Sequence, residues 1–304
     1  MQSYFEVPES KKIRLIINTD AKNEADDQFA IVHALLTKKF IIKGIIAAHF
    51  ERKYGEGKEK SMEKSYAEIV KILSLMKMEK QIPALKGATR PLVDEKSPQM
   101  SEGAELIIKE ALADDPRPLY AGFMGTLTDL ASAYLLAPRI AEKLNVVWIG
   151  GGEWPKGGWE FNLNGDVDAA NVVFRSNLNL WQIPMNVYRM MRVTLTELAC
   201  KVRPCAEIGK YLFQQMVDYN NGYADSTAYP GFPMGESWVL GDSPIIGALI
   251  EDHHHDYDLR PAPTFARDMS YAHGQNSRNI RVYKNIDARM TLEDFYCKLA
   301  LLKQ

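Results

Sequence analysis

Residues 16–36 read IINTDAKNEADDQFAIVHALL. The stretch begins inside a β-branched run, residues 13–17, that suits a buried strand. Four acids follow: Asp20, Glu24, Asp26 and Asp27. Then Phe29, Ala30, Val32, Leu35 and Leu36 recur at helical spacing, and a second apolar run occupies residues 40–48, carrying Lys43 and Gly44. Strand, helix and strand within about 35 residues match the length of a βαβ unit, so a parallel sheet is predicted.

The alternation continues outward. Met62, Tyr66, Ile69, Leu73 and Met76 mark one face of a helix. Residues 119–124, 145–149 and 178–184 read as strands, with helices at 127–136 and 169–174. This order predicts an α/β fold, an open and mostly parallel sheet with helices on both faces. Ligands of such sheets bind at the carboxyl ends of the strands. Asp20, Met124 and the triplet Gly150-Gly151-Gly152 all stand at such ends and are expected on one rim. Further on, residues 207–217 and 243–250 have helical patterns. Residues 220–238, rich in Gly, Tyr, Pro and Asn, read as a long loop of the kind that forms lids or binding loops. Residues 51–60 read as a solvated charged loop. With no repeat and no linker, residues 1–304 are expected to form a single domain.

Composition narrows the classes. A 46% hydrophobic content supplies a large core. A net charge of −2 argues against nucleic-acid binding driven by phosphate contacts. The three cysteines, Cys200, Cys205 and Cys297, are odd in number and lack a CxxC pair, against both a disulfide framework and a zinc site. No stretch approaches the ~20 apolar residues of a membrane span. The first residues lack the apolar run of a signal peptide. A cytoplasmic location is expected, although a processed secreted form would read the same.

The acids admit two readings. Asp26 and Asp27 can cap the following helix and complement its dipole. Alternatively, Asp20 at a strand end and Asp26-Asp27 at a helix start turn several carboxylates into one pocket, where they repel one another unless a cation intervenes. An all-oxygen donor set suits calcium or magnesium, and the spacing is not that of an EF-hand. Asp242, in Gly241-Asp242-Ser243-Pro244, is either another helix cap or a distant member of the same set. Glu160 and Asn162, two apart on an expected strand, face one side. That side is either solvent or a pocket, and the flanking Trp154 and Trp159 suit sugar or base contact.

In order along the chain these elements resemble the nucleoside hydrolases of the inosine-uridine-preferring type. The matching residues are Asp20, Asp26-Asp27, Gly125-Thr126-Leu127-Thr128-Asp129-Leu130-Ala131, Gly151-Gly152, Glu160-Phe161-Asn162 and Asp242-Ser243-Pro244. The resemblance implies a Rossmann-like nucleoside hydrolase fold. It implies Ca2+ held by the side chains of Asp20, Asp27 and Asp242 and by the carbonyl of Met124. It also implies ribose contacts from Asp26, Glu160 and Asn162, with Asp20 as the base that deprotonates a calcium-activated water. The implied activity is hydrolysis of the N-glycosidic bond of a ribonucleoside or related N-riboside through an oxocarbenium-like transition state. The partner is then a small-molecule nucleoside or sugar, and a homo-oligomer, dimer or tetramer, is expected.

The departures from the family pattern are specific. The usual Asp-x-Asp-Pro-Gly-x-Asp-Asp loop is replaced by residues 18–27, NTDAKNEADD. Asn18 stands for the first Asp, the Pro-Gly turn is absent, and two residues are added, so Lys22 or Glu24 can reach the pocket. Gly241 occupies the position of a His that protonates the leaving base in purine-active members. His253-His254-His255 is a substitute or merely a polar cluster at a helix end. His49 stands near the family's ribose-binding Asn and is a candidate substrate contact, as is Trp154. Tyr219, Tyr223 and Tyr229 belong to a lid or anchor a loop. A different class, a non-catalytic calcium-dependent sugar-binding protein on the same scaffold, would carry many of the same residues. A dinucleotide enzyme is excluded because no GxGxxG follows the first strand.

Overall fold

A computed structural model describes residues 5–51, 60–222, 235–251 and 254–302. The first strand, β1 (Ile13–Thr19), is buried along its whole length, as its β-branched run requires. Its side chains alternate between two cores. Leu15 and Ile17 enter one, and Ile16 enters the other. The remaining strands that build the site are β2 (Phe40–Ala47), β3 (Ala84–Lys86), β4 (Leu119–Phe123), β5 (Leu144–Ile149) and β6 (Asn179–Ile183).

These six strands lie in the order β3-β2-β1-β4-β5-β6, all parallel. The strand Asn279–Tyr283 adds in parallel beside β6, and Tyr257–Pro261 closes that edge antiparallel. The chain leaves β1 for β2 on one side and later returns to place β4 on the other. The carboxyl ends of β1 and β4 therefore flank a topological switch point, where open α/β sheets bind ligands.

Helices cover both faces. α1 (Asp27–Leu36), α2 (Ser61–Leu75) and the helices Ala206–Gly222, Pro244–Ile250 and Ala288–Leu301 contribute to one core. α3 (Glu102–Leu112), α4 (Thr128–Leu136) and α6 (Val167–Arg175) contribute to the other. Among the described residues no helix is long and apolar enough to cross a membrane.

Two local expectations are corrected. Residues 160–162 are not a strand. Glu160 caps α5 (Phe161–Gly165), accepting from the Asn162 and Leu163 N–H groups, because a carboxylate there satisfies donors the helix leaves open. The expected loop at 220–238 is helix at its start and strand at its end, since the helix Ala206–Gly222 runs into it and the strand Ser237–Val239 pairs with Arg192–Thr194; residues 223–234 lie outside the described residues. Tyr223 and Tyr229, like His253 and most of the charged loop at 51–60, lie outside the described residues.

Candidate active site

The acidic cluster forms where β1 ends. Asp20 follows the last residue of that strand, and its carboxyl carbon lies 3.1 Å from the position a Cβ would take on Gly125. A side chain at residue 125 would press against the Asp20 carboxyl. Met124 N–H donates to the Asn18 carbonyl at 2.9 Å, extending the β1–β4 ladder to the rim, so residue 20 and residues 124–125 arrive side by side.

Asp26 and Asp27 open α1, yet Asp26 makes no side-chain cap to that helix. Its carboxylate takes backbone N–H groups of residues 26 and 27 and, across the site, of Gly241 and Asp242. Asp242 likewise is not the cap of the helix Pro244–Ile250; that position is Ser243, which makes no side-chain cap. Capping thus fails to account for either acid. Oxygens of Asp26, Asp27 and Asp242 all lie within 4.8 Å of one another, and all three residues are buried. Asp27 also takes the Thr19 hydroxyl proton.

Such a group is electrostatically expensive. Burial, then repulsion from Asp26, pushes Asp27 up to about 8. Asp26 rises to about 6 through burial, with the N–H groups of residues 26, 241, 242 and 27 holding it down. Burial and then the neighbouring acids push Asp20 and Asp242 well above the usual carboxylate range. The half-buried Glu24 is raised to about 8 by burial and by Asp26 and Asp27, against a lowering influence from Arg189. Crowded oxygen donors that resist ionisation by themselves are a fitting set for a hard divalent cation. Asp26 lies closer to this group than the resemblance implied, because the 241–242 turn holds it there.

Behind the acids, Asn162 uses both protons of its amide nitrogen on the carbonyls of Met124 (3.0 Å) and Ile149 (2.9 Å). It ties the ends of β4 and β5 together and aims the Met124 carbonyl. Glu160 accepts from Gly151 N–H (2.8 Å), Asn162 N–H (3.2 Å), Leu163 N–H (3.0 Å) and the Tyr188 hydroxyl (3.0 Å). Four donors fill a carboxylate's ordinary capacity. Both residues therefore fix the loops behind the acids, which a strand reading did not anticipate.

Other expected contacts are engaged elsewhere. His49 is fully buried, and burial drives it down to about 3, so it is neutral. Its Nε2 meets Thr128 Oγ1 at 2.8 Å, and Thr128 donates to Asp166 at 2.7 Å. Trp154 gives its N–H to Gln182 at 2.9 Å and packs edge-on against Tyr271. Lys22 turns out of the pocket toward Glu68, 3.7 Å away. Tyr219 anchors a loop: its hydroxyl donates to the Asn23 carbonyl at 2.8 Å. His255 is buried against the Gly247 carbonyl at 3.1 Å, and His254 is exposed beside Glu251. Both follow the far end of the helix that Asp242 precedes, about 10 Å along. Neither replaces the family His.

Two residues were not expected from the sequence. Asn18 donates to Asp129 at 3.1 Å, and Asp129 also takes the Ser101 hydroxyl (2.6 Å) and the Ala88 N–H (2.8 Å). An acid at position 18 would repel Asp129, so the exchange of Asp for Asn is matched by its partner. Tyr188 stands beside Gly241, its ring 3.2 Å from the position of a Cβ there. Its only sequence signal was its position just past the end of β6.

A sequence model of the family described as inosine-uridine preferring nucleoside hydrolase matches residues 15–293. The pyrimidine-specific ribonucleoside hydrolase RihA of Salmonella arizonae is 24% identical over 199 residues, which cover 57% of this chain and 61% of that protein's length. A purine-preferring ribonucleoside hydrolase from Gardnerella vaginalis superposes with a TM-score of 0.76 at 18% identity, covering 95% of this chain and 99% of its own. A plant nucleoside hydrolase gives 0.74 at 16% identity, with the same two coverages. These structures bear out the open, mostly parallel architecture, and the family match spans nearly the whole chain. The chain belongs to the inosine-uridine preferring nucleoside hydrolase family.

Proposed function

We propose that this chain hydrolyses the N-glycosidic bond of a ribonucleoside or related N-riboside, with calcium as its cation. The observation that carries the reading is the convergence of Asp242 on Asp26 and Asp27, with oxygens within 4.8 Å. Asp27 and Asp242, with Asp20 and the Met124 carbonyl at the same rim, would hold the cation. When bound, it supplies Lewis acidity toward water and the ribose diol.

The chain's own residues do the rest. Asp20, fixed against Gly125, takes a proton from the attacking water. Asp26, oriented by backbone N–H groups, accepts from ribose hydroxyls. As the C1′–N bond lengthens, the ribosyl ring gains positive charge, and buried carboxylates set in advance stabilise it. Asn162 holds the Met124 carbonyl through its amide nitrogen, and its side-chain oxygen would be offered to the sugar.

A non-catalytic sugar-binding protein is the competing reading, and Gly241 favours it, since the family's leaving-group acid is missing. The test is release of reducing sugar from inosine, uridine and p-nitrophenyl riboside by purified protein, with calcium and with chelator. Chelator-sensitive release supports hydrolysis. Ribose binding by calorimetry without any turnover would replace it with the second reading.

A further inference from the structure

We infer that Tyr188 sets the sugar specificity of the site: it fills the acceptor on Glu160 that the 5′-hydroxyl of a ribonucleoside would use, so that 5′-deoxyribosides are as good substrates as ribosides. The inference rests on the hydrolase reading above and names its substrate class. It stands on how Tyr188 is held and on how Glu160 is occupied.

Tyr188 ends the short helix α7 (Met185–Tyr188), which follows β6. The Met185 N–H donates to the Gly151 carbonyl at 3.0 Å, and the Gly151 N–H donates to Glu160 at 2.8 Å. The Tyr188 hydroxyl reaches that same carboxylate at 3.0 Å. Helix and carboxylate are thus both tied to one residue just past the end of β5. On its other side the Tyr188 ring lies against residue 241, where a Cβ would stand 3.2 Å from the ring and 3.3 Å from an Asp26 oxygen. The Tyr188–Glu160 pair therefore borders the acids, running from the Asp26 side of the rim to the ends of β5 and β6.

Glu160 has no acceptor to spare. Oε1 takes the Tyr188 hydroxyl and the Asn162 N–H, and Oε2 takes the N–H groups of Gly151 and Leu163. Three of these donors are backbone groups, fixed by the start of α5 and by the turn at Gly151. The Tyr188 hydroxyl is the only one of the four whose place a substrate hydroxyl could take.

The hydroxyl concerned follows by elimination. A ribonucleoside carries hydroxyls at C2′, C3′ and C5′. The cation and Asp26 would take the 2′,3′-diol. Asn162 has its amide nitrogen on the Met124 carbonyl, so the oxygen of the same amide belongs to the diol side. The 5′-hydroxyl is left for the Glu160 side. A site rejects an analogue lacking a hydroxyl when the loss strands a buried partner. Here Tyr188 keeps Glu160 paired whether or not that hydroxyl is present, so its absence strands nothing.

The experiment measures kcat/KM on the full chain with calcium for uridine against 5′-deoxyuridine and for inosine against 5′-deoxyinosine. Each pair shares its leaving base, so only the sugar is compared. The two members of a pair are expected to agree within about threefold, as for a hydroxyl without a dedicated partner. Tyr188→Phe keeps the ring beside Gly241 and removes only its hydroxyl. In that variant Glu160 is left one donor short unless the 5′-hydroxyl supplies it. A preference of about tenfold or more for the 5′-hydroxylated member should then emerge, the size expected of a hydrogen bond to a charged group. A merely structural role for Tyr188 would change all four substrates alike and leave the ratios where they were. A preference of about tenfold or more in the parent, or ratios unmoved in Tyr188→Phe, overturns the inference and leaves the hydrolase reading standing. No release from any of the four overturns both.

Discussion

At the scale of single residues, Asp20 and Asn162 have separable duties. Asp20→Asn keeps the shape of the side chain over Gly125 but removes the base. Turnover of the best riboside should fall by about 10²- to 10⁴-fold while the melting temperature and most calcium binding persist. Steady-state kinetics beside a calcium titration check this, and parental turnover in the variant would remove Asp20 as base. Asn162→Ala acts differently. It strands the Met124 and Ile149 carbonyls in a buried setting, each costing about 1–3 kcal/mol where no water replaces the amide. Chemical denaturation should show a loss of that size together with weaker calcium binding. An unchanged midpoint would mean that the carbonyls are satisfied in another way. The place of Asp20 at the rim was legible in the sequence because it directly follows an apolar strand run. The bridging by Asn162 was not, since its partners are backbone carbonyls, which are the same in every sequence.

At the scale of elements, the acidic loop is held from behind by a helix distant in sequence. From Ala206–Gly222, Gln215 donates to the Ala25 carbonyl at 2.8 Å and Tyr219 to the Asn23 carbonyl at 2.8 Å. From α1 itself, Gln28 donates to the Ala21 carbonyl at 2.6 Å. These side chains take over the constraint that a Pro-Gly turn gives the shorter loop of the family pattern, by pinning carbonyls rather than fixing dihedrals. Replacing both clamps, Gln215→Leu with Tyr219→Phe, should loosen the loop without unfolding the sheet. Hydrogen exchange at residues 21–27 should quicken, and calcium affinity should drop by about tenfold, as expected for two hydrogen bonds of ~0.5–1.5 kcal/mol each. Exchange unchanged in that segment would show that the clamps are incidental. The helix was readable from its apolar spacing and Tyr219 as a possible loop anchor, but the part of Gln215 was not, because a backbone carbonyl such as that of Ala25 is the same in every sequence.

At the scale of the whole molecule, the fold was legible because a parallel sheet buried on both faces writes itself as repeated apolar runs, with helices between them. Residues 13–17 and 145–149 carry that signal strongly. The antiparallel edge at Tyr257–Pro261 does not, because four of its five residues are exposed and the fifth is the charged Asp258. The same architecture ties stability to the state of the site. In the metal-free protein Asp26 sits near 6, and Asp27 and Glu24 near 8, all above their unfolded values of about 4. The folded state therefore keeps protons that the unfolded chain has already released. Their contribution is complete below pH about 4 and is lost as pH rises through about 6 to 8. His49 works in the opposite sense. It stays neutral when folded but takes a proton when unfolded, so its contribution is lost as pH falls below about 6.5. Total stability mixes the two trends, and the difference between calcium-loaded and chelated protein isolates the carboxylates, since the His49 term is common to both. Calcium replaces the retained protons, so the gain in melting temperature on adding it should be small near pH 5 and grow steadily to pH 8. Thermal melts across that range, with excess calcium or with chelator, check the slope. A calcium gain that is flat with pH would mean that the ion does not displace protons from these acids, and the convergence of Asp242 on Asp26 and Asp27 would then have another cause.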